Sequence, residues 1–266
     1  MTASLHASTT SSSTVLITGC SSGFGLETAR LFLARGWHVV ATLRRPREGL
    51  LPASERLRVL PLDVTDPDSI QACLAEAGPL DALVNNAGIG LLAPLEGMTM
   101  AQARELFETN TLGTLAMTQA VLPQFRQRGR GVVVNVSSSV TLKPLPLLSV
   151  YTASKAAVNA FTESVALELA PLGVRLHLVL PGRAPATAFG DNARRRMVPE
   201  PHPAYAAFQA EVFASLRDTR APVTEMADVA EAVWRAVTDP GAPLRLPAGA
   251  DAMALAGATV TAPPSA

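Results

Sequence analysis

Short apolar runs alternate with longer stretches of helical periodicity along most of this chain. The first run, residues 14–18, is rich in β-branched side chains and leads through a glycine-rich turn into residues 24–35, where apolar positions recur at helical spacing. This strand, turn and helix pattern is repeated downstream. Further strands are predicted at residues 38–42, 57–60, 80–84, 131–136, 174–180 and, as a short one, 244–246. Further helices are predicted at residues 67–77, 100–128 and 149–169.

The predicted strands are continuous apolar runs, which is typical of strands buried on both faces. Strands that alternate with helices favour a parallel sheet with helices on both sides. We therefore predict an α/β fold with three layers (α/β/α), a doubly wound parallel sheet of the Rossmann type, in a single domain at residues 14–258. A proline-rich stretch at about residues 183–223 is predicted to form a lid. Residues 1–13 are expected to be a disordered tail and residues 259–266 a flexible one.

Composition and charge limit the partners of such a domain. The chain has 266 residues, 48% of them hydrophobic, which is enough to bury a core without disulfides. Its 22 basic residues balance 22 acidic ones, so it lacks the positive field that binding nucleic acid or an anionic membrane requires. No apolar run reaches the roughly 18 residues of a membrane span, and the N-terminal stretch lacks the pattern of a secretory signal. We expect a small-molecule substrate, no nucleic-acid partner and no membrane partner.

Cysteine and histidine usage indicates a reducing compartment and no metal. Only two cysteines occur, Cys20 and Cys73, and free thiols in the cytoplasm are the simplest interpretation. Because the histidines and cysteines show no ligand-like spacing, no metal site is predicted.

A glycine-rich turn joins the first predicted strand to the first helix. Its glycines, Gly19, Gly23 and Gly25, follow the spacing G-x-x-x-G-x-G. Glycines let a pyrophosphate approach backbone N–H groups closely, and the helix N-terminus adds partial positive charge. Dinucleotides bind at this edge of a parallel sheet. Taken alone, the spacing leaves an ordinary strand-to-helix loop equally open.

Tyr151 and Lys155 lie four residues apart, on one face of a predicted helix. An ammonium at that distance stabilises phenolate and lowers the pKa of the tyrosine, so the phenol can exchange a proton nearer neutral pH. The chain has only two tyrosines and two lysines, so this spacing is seldom met by chance. The alternative is a half-buried tyrosine beside a lysine with a buried stem.

Two other polar residues fall near the same predicted edge. Ser138 follows the strand at 131–136, where its hydroxyl can reach the cavity, although a plain serine-rich loop is the alternative. Asn110 interrupts an apolar helical pattern, and a buried amide needs partners. A role in binding water and a simple helix kink both remain open for Asn110.

Together these residues resemble the short-chain dehydrogenase/reductase family in its single-domain form. The resemblance extends over about residues 14–250. It rests on the following motifs, which occur in the order and spacing of the family: Thr18-Gly19-x-x-x-Gly23-x-Gly25, Asn85-Asn86-Ala87-Gly88, Asn110, Ser138, Tyr151-x-x-x-Lys155 and Pro181-Gly182.

The resemblance implies four catalytic residues. Tyr151 would be the general acid in carbonyl reduction and the general base in the reverse reaction, and Ser138 would hydrogen-bond the carbonyl oxygen. Lys155 would bind the nicotinamide ribose and lower the pKa of Tyr151. Asn110 would hold a water that connects Lys155 to solvent.

The resemblance also implies a cofactor site, since the hydride comes from the cofactor. Asn86, Ala87 and Gly88 would line the adenine ribose, and Asp63 with Val64 would flank the adenine. The residues predicted to contact the cofactor are Gly19, Ser21, Ser22, Gly23, Phe24, Gly25, Arg44, Asp63, Val64, Asn86, Ala87, Gly88, Tyr151, Lys155, Pro181, Gly182 and Ala184.

Charge at the end of the second strand predicts which cofactor is bound. The family places an acidic residue there to bind the adenosine ribose, but here the position is Leu43, followed by Arg44 and Arg45. With a guanidinium available for a 2′-phosphate and no carboxylate to repel it, we predict NADP(H). A solvated arginine loop that includes Arg47 is the alternative.

The chain departs from the family pattern after Pro181-Gly182. The backbone of Ala184 is placed to meet the carboxamide, but Thr187 comes one position late, so its contact with the cofactor is open. The final strand also lacks the usual glycines. The long helices that begin at residues 100 and 149 could form a dimer face, and a homo-oligomer, dimer or tetramer, is expected only on that ground.

Apolar residues in the loop 140–150, together with Phe189, Phe208 and Phe213 in the lid, indicate an apolar substrate. Arginines of the lid, at 183 and 194–196, could instead bind a substrate anion, although a solvated face is favoured. The expected activity is an NADP(H)-dependent oxidoreductase that interconverts a ketone or aldehyde and an alcohol. Two other classes remain open: a non-catalytic NADP(H)-sensing or interaction module, and a dehydratase or epimerase that uses the cofactor transiently.

Overall fold

A seven-stranded parallel sheet forms the centre of the computed structural model, which describes residues 13–47, 49–196, 203–216 and 220–261. The strands are β1 (Thr14–Ile17), β2 (His38–Leu43), β3 (Leu57–Pro61), β4 (Ala82–Asn85), β5 (Gly131–Val136), β6 (Val174–Pro181) and β7 (Arg245–Ala248). They lie in the order β3-β2-β1-β4-β5-β6-β7, and all neighbours are parallel. The order reverses between β1 and β4, which opens a crevice at the carboxyl ends of these strands.

Helices cover both faces of this sheet. In the described residues they are α1 (Gly23–Ala34), α2 (Pro67–Ala77), α3 (Met100–Phe107), α4 (Gly113–Arg128), α5 (Ser149–Leu169), α6 (Phe189–Arg195), α7 (Ala206–Leu216), α8 (Met226–Thr238) and α9 (Ala250–Thr261). Asp66 caps α2 by accepting a hydrogen bond from the backbone N–H of Asp68, as its position before Pro67 predicted.

Alternate residues of the strands supply two apolar layers. Val15 and Ile17 cluster with residues of α1 and α8, whereas Leu16 between them clusters with residues of α2, α4 and α5. Each fully buried side chain of this kind contributes about 1.5–3 kcal/mol to folding. The strands therefore need apolar residues at consecutive positions, and the predicted three-layer α/β fold is confirmed.

The two cysteines are free and lie on opposite sides of the sheet. Cys20 packs in the cluster under α1, and Cys73 packs in the cluster under α2. Burial raises the pKa of Cys20 to about 12 and that of Cys73 to about 11. Both sulfurs are therefore protonated parts of the core.

The single helix predicted over residues 100–128 is wrong, because α3 and α4 are separated by a π-helical turn, Glu108–Leu112. This wider turn places Asn110 in a position with no solvent exposure. Its partners, given below, explain why the helix breaks here.

The C-terminal part of the chain holds elements that periodicity did not predict. Neither α8 nor α9 was expected, and β7 lies one residue further along than the predicted strand at 244–246 and ends two residues later. Helix α9 runs through residues 259–261 of the predicted tail. Residues 1–12 and 262–266 of the two tails, and residues 197–202 and 217–219 of the predicted lid, lie outside the described residues. Among the described helices, none combines the length and the apolar character needed to cross a bilayer.

Candidate active site

The glycine-rich turn packs directly against the chain that leaves β4. Gly19 has φ +76°, and a Cβ there would lie 2.9 Å from the Cα of Ala87. A Cβ at Gly25 would overlap the side-chain amide of Asn86. The side chain of Ser22 makes no capping hydrogen bond to α1, so the first N–H groups of this helix stay available to a phosphate.

Thr18 fixes the residues predicted to line the adenine ribose. Its hydroxyl oxygen accepts hydrogen bonds from the backbone N–H groups of Asn86 and Ala87, both at 2.9 Å. The side-chain amide of Asn86 donates to the carbonyls of Thr18 and Gly19 at 2.9 and 3.2 Å. The ends of β1 and β4 are thus joined into one rigid wall of the crevice.

The residues predicted to flank the adenine follow β3. Asp63 Oδ1 accepts hydrogen bonds from the backbone N–H and the hydroxyl of Thr65, at 3.0 and 2.7 Å. The backbone bond is the main cause of a lowered pKa for the Asp63 carboxyl, and the positive charge of Arg44 lowers this pKa further. Val64 is buried, and a Cβ at Gly113 would lie only 2.7 Å from its Cγ2, so β3 is held close to α4.

Arginines surround the end of β2 as expected, and one of them reaches the glycine-rich turn. Leu43 is buried at the end of the strand, while Arg44 and Arg45 are exposed. Arg47 Nη2 donates to the carbonyl of Ser21 at 3.3 Å. Arg47, which the sequence offers only as part of an alternative solvated loop, thus contacts a residue 26 positions away that the local pattern does not indicate.

Ser138 and Tyr151 meet at the carboxyl edge of the sheet. Ser138 lies two residues after the end of β5 and is 8% exposed. Its hydroxyl oxygen accepts a hydrogen bond from the backbone N–H of Val140 at 3.3 Å. Tyr151 is 7% exposed in the first turn of α5. Burial raises the pKa of Tyr151 to about 12, and a side-chain hydrogen bond from Ser138 opposes that rise.

Lys155 places its amine inside the same edge. Nζ donates to the carbonyl of Val136, the last residue of β5, at 2.9 Å, and the side chain is 5% exposed. A Cβ at Gly88 would lie 3.4 Å from this Nζ and 3.2 Å from Asn110 Oδ1, so the three residues converge. Burial lowers the pKa of Lys155 to about 8.

The predicted lowering of the Tyr151 pKa is wrong for this arrangement. Desolvation outweighs every other influence on the phenol, and Lys155 is not among the groups that shift it. Because the Lys155 amine is directed to the Val136 carbonyl and not to the phenol, its charge does not offset the desolvation of Tyr151.

Asn110 is a structural anchor for the chain after β4. Its Oδ1 accepts from the backbone N–H of Ile89 at 2.8 Å, and Nδ2 donates to the Ile89 carbonyl at 2.9 Å and to Ser154 Oγ at 3.1 Å. These bonds explain the π-helical turn, because they pull Asn110 away from a regular helical position. The helix kink is therefore confirmed, and the water-binding role of Asn110 stays a prediction.

The turn after β6 reaches across the crevice to the glycine-rich turn. The side chain of Thr187 lies 3.5 Å from where a Cβ of Gly23 would be, so the late threonine still lies over the phosphate end of the crevice. Thr187 Oγ1 donates to the carbonyl of Ala184 at 2.9 Å, and the N–H of Gly182 donates to Thr224 Oγ1 at 2.9 Å.

One phenylalanine of the predicted lid contacts Tyr151. The ring centroids of Phe189 and Tyr151 are 5.7 Å apart at an interplanar angle of 57°. A Cβ at Gly90 would lie 2.6 Å from Cζ of Phe189, so the ring occupies space that a side chain at residue 90 would take. Phe208 is 46% exposed, and the half-buried Phe213 has no described contact with Tyr151.

Three of the four lid arginines at 183 and 194–196 contact protein groups. Arg183 donates to the carbonyls of Leu216 and Ala221, which ties the end of β6 to the segment after α7. Arg194 pairs with Asp191 at 2.7 Å, and Arg196 pairs with Glu105 of α3 at 3.4 Å. These contacts support structural roles for Arg183, Arg194 and Arg196 over substrate binding.

Asn159 supports Ser138 and was missed by the sequence analysis. Its Oδ1 accepts from Ser137 Oγ at 2.6 Å, and its Nδ2 donates to Thr141 Oγ1 at 3.0 Å. Thr141 in turn donates to the carbonyl of Ser138 at 2.8 Å. Asn159 lies one helical turn beyond Lys155, and this spacing was the signal that could have revealed it. Within the described ranges, no group of three or more His, Cys, Asp or Glu side chains converges on a metal position.

The fold and this crevice place the chain among the doubly wound α/β proteins that carry their sites at the carboxyl edge of the sheet. A family model described as short chain dehydrogenase matches residues 13–197, and the chain belongs to this family. The protein is 34% identical over 235 residues to the uncharacterized oxidoreductase YusZ of Bacillus subtilis. The aligned region covers 84% of each of the two chains. It is 41% identical over 182 residues to bovine retinol dehydrogenase 8, covering 64% of this chain but only 58% of that protein.

Solved structures show the same architecture. A short-chain dehydrogenase from Streptomyces avermitilis superposes with a TM-score of 0.81 at 34% identity, covering 94% of this chain and 92% of the other. A short-chain dehydrogenase from Burkholderia cenocepacia in complex with NADP gives 0.75 at 27% identity, covering 94% and 93%. A 3-ketoacyl-(acyl-carrier-protein) reductase from Brucella melitensis complexed with NADH gives 0.74 at 25% identity, covering 88% and 96%.

Proposed function

We propose that this protein is an oxidoreductase that interconverts an apolar ketone or aldehyde and the corresponding alcohol, with NADP(H) as its cofactor. The observation that carries the proposal is the convergence of Ser138, Tyr151 and Lys155, all less than 9% exposed, at the edge where the crevice opens. The tight glycine cradle at Gly19 and Gly25, which any Cβ would obstruct, fits the backbone approach that a pyrophosphate needs. Buried thiols suit the cytoplasm, where they stay reduced.

The chain's own residues account for the proton chemistry. When bound, the nicotinamide supplies the hydride. The hydroxyl of Ser138 donates a hydrogen bond to the carbonyl oxygen of the substrate, which stabilises its developing negative charge. The phenol of Tyr151 is protonated at neutral pH because its pKa is raised to about 12, so it can donate a proton to the same oxygen. Lys155 holds positive charge near the crevice, and Asn159 keeps the loop that bears Ser138 in place.

An apolar substrate is favoured by the walls around the phenol. Tyr151 is part of a small cluster with Leu91, Leu106 and Val140, and the ring of Phe189 covers it from the lid. A buried carboxylate or phosphate of a substrate would need a charged partner here. Of the four lid arginines at 183 and 194–196, Arg183, Arg194 and Arg196 already contact other protein groups, and Arg195 is exposed on the surface of α6.

The first prediction concerns Tyr151. With a panel of neutral aliphatic and aromatic ketones, the wild type should oxidise NADPH in proportion to alcohol formed, while Tyr151→Phe loses at least about 100-fold in rate because the proton donor is gone. Tyr205→Phe is the matched control, since it removes the hydroxyl group of the other tyrosine in the chain. This hydroxyl donates a hydrogen bond to Glu96 on the surface.

Three outcomes would contradict this proposal. Equal rates for wild type and Tyr151→Phe would remove the role of the phenol. NADPH binding without turnover of any carbonyl by either protein would favour a sensing module. Product formation without net NADPH consumption would favour a dehydratase or epimerase.

The second prediction concerns Arg44 and the preference for NADP(H). Arg44→Ala should raise Kd for NADPH by about 10- to 100-fold, because a charge-assisted hydrogen bond to the 2′-phosphate contributes about 1.5–3 kcal/mol. Kd for NADH should stay the same. Arg126→Ala removes an exposed arginine in the last turn of α4 and serves as the control. Tighter binding of NADH by the wild type, or no change in Arg44→Ala, would show that the cofactor assignment is wrong.

A further inference from the structure

Two residues near the C-terminus hold the turn that follows β6. The hydroxyl oxygen of Thr224, which is 2% exposed, accepts a hydrogen bond from the N–H of Gly182 at 2.9 Å. Asp251, in the first turn of α9, accepts from the N–H of Arg183 through Oδ2 at 2.6 Å. The Thr224 hydroxyl also lies 2.7 Å from Asp251 Oδ1. We call Thr224 and Asp251 the C-terminal brace.

The C-terminal brace fixes the backbone of the turn at two successive residues, Gly182 and Arg183. Besides the two N–H groups, the carbonyl of Arg183 accepts from the backbone N–H of Thr224 at 2.8 Å. Gly182 is required by this contact, because a Cβ there would overlap the carboxylate of Asp251. Gly249, at φ +96°, is required in the same way, because a Cβ there would overlap the side chain of Thr224. Two glycines and two polar side chains thus form one fitted unit.

The braced turn faces the cofactor crevice at both of its ends. It leaves β6, which pairs with β5 up to Val136 beside the catalytic centre, and five residues after Gly182 it reaches Thr187 over Gly23. Ala184 lies between these points. Its carbonyl accepts from both the N–H and the hydroxyl of Thr187, whereas its N–H makes no hydrogen bond to any described residue.

We propose that Thr224 and Asp251 are positioning residues that hold the free N–H of Ala184 at the nicotinamide half of the cofactor site. This inference rests on the proposed function, in which a nicotinamide cofactor binds in the crevice, and on the family resemblance, by which the Ala184 backbone would meet the carboxamide. By fixing the two residues before Ala184, the brace removes conformational freedom that would otherwise be lost when the cofactor binds. It acts on the nicotinamide half only, since the adenosine half is held by residues that follow β1 to β4.

The test compares each dinucleotide with the fragment that lacks nicotinamide. Kd is measured by titration calorimetry for NADPH against 2′-phospho-ADP-ribose, and for NADH against ADP-ribose. Thr224→Val should raise Kd for the intact dinucleotide by about 10-fold, because it leaves the N–H of Gly182 without an acceptor. Kd for the fragment should change by less than about twofold. Thr224→Ser should restore binding of the dinucleotide.

Two further variants complete the test. Thr162→Val is the control, since Thr162 has no solvent exposure and bonds the Val158 carbonyl and Asn135. It should lower Tm without changing the ratio of the two Kd values. Asp251→Asn, which loses one carboxylate acceptor, should raise Kd for the intact dinucleotide but not for the fragment. This variant replaces Thr224→Val in the test if Thr224→Val does not fold.

Equal losses of dinucleotide and fragment in the brace variants, or no loss of either, would overturn the inference. If the wild type binds neither dinucleotide, the proposed function itself fails, which is a different result.

Discussion

Burial moves the pKa values of the two reactive residues in opposite directions. The phenol of Tyr151 is raised to about 12 and the amine of Lys155 is lowered to about 8, so the environment favours the neutral form of each. A protonated phenol suits carbonyl reduction, in which Tyr151 gives up a proton. In alcohol oxidation the phenol must first lose its proton, so that direction gains from alkaline pH.

The buried amine of Lys155 predicts a pH-dependent stability. Its pKa is lower in the folded protein than in the unfolded chain, so its contribution is present above about pH 10.5 and is lost as pH falls through about pH 8. Between about pH 8 and pH 10 the free energy of unfolding of the wild type should therefore rise relative to Lys155→Met. The slope of this difference is at most about 1.4 kcal/mol per pH unit.

Urea unfolding followed by circular dichroism at several pH values measures this difference. Subtracting the variant removes the contributions of Cys20 and Cys73, which titrate in an overlapping range. Lys143→Met replaces the only other lysine, which is exposed, and should run parallel to the wild type. A parallel curve for Lys155→Met would show that the amine stays charged in the folded protein.

At the scale of elements, helix α6 is held at its first residue by Tyr151 and just past its last residue by α3. Phe189 contacts Tyr151 at the first residue of the helix, and fully buried Ala193 lies over Gly90 one turn later. Past the last residue of the helix, the carbonyl of Arg196 accepts from the side chain of Gln102 at 2.8 Å. The helix therefore packs over Tyr151 and Gly90, where it would form one wall of the proposed substrate pocket.

Gly90→Ala tests this wall. The added methyl would lie within 2.7 Å of the Phe189 ring and should displace α6, raising KM for an apolar ketone by about 10-fold, as a small distortion of a substrate wall does. Kd for NADPH should stay the same. Gly190→Ala is the matched control, because a Cβ at Gly190, in the same helix, meets nothing within 4 Å. Steady-state kinetics check both; equal KM values for the two variants would contradict the role of the wall.

At the scale of the whole molecule, the pattern of apolar residues along the chain predicted the strands and the three layers of the fold. Consecutive apolar residues such as Val15, Leu16 and Ile17 identify a strand with two buried faces, and the layers follow from that alone. The spacing of Tyr151 and Lys155 likewise identifies one helical face. Side-chain spacing therefore predicted that Tyr151 and Lys155 share one helical face, whereas their ionisation depends on burial that only the folded chain shows.

Contacts between residues that are far apart in the chain could not be predicted from the sequence pattern. The π-helical turn depends on Asn110 finding Ile89, 21 residues earlier, and the brace joins Arg183 to Asp251 across 68 residues. Thr187 lies over Gly23 despite its late position because the turn after β6 bends back toward the glycine-rich turn. Such pairings depend on how the completed sheet brings loops together, and neither propensity nor periodicity records that.

The two core sulfurs also decide how this molecule can be labelled. A maleimide reacts with thiolate, and Cys20 and Cys73 are both buried and protonated at neutral pH, so the folded chain has no reactive sulfur of its own. A cysteine introduced at Gly190, where space is open, would then be the single attachment point on α6. A fluorophore or nitroxide placed there would report whether α6 moves in solution, without removal of any native residue from the core.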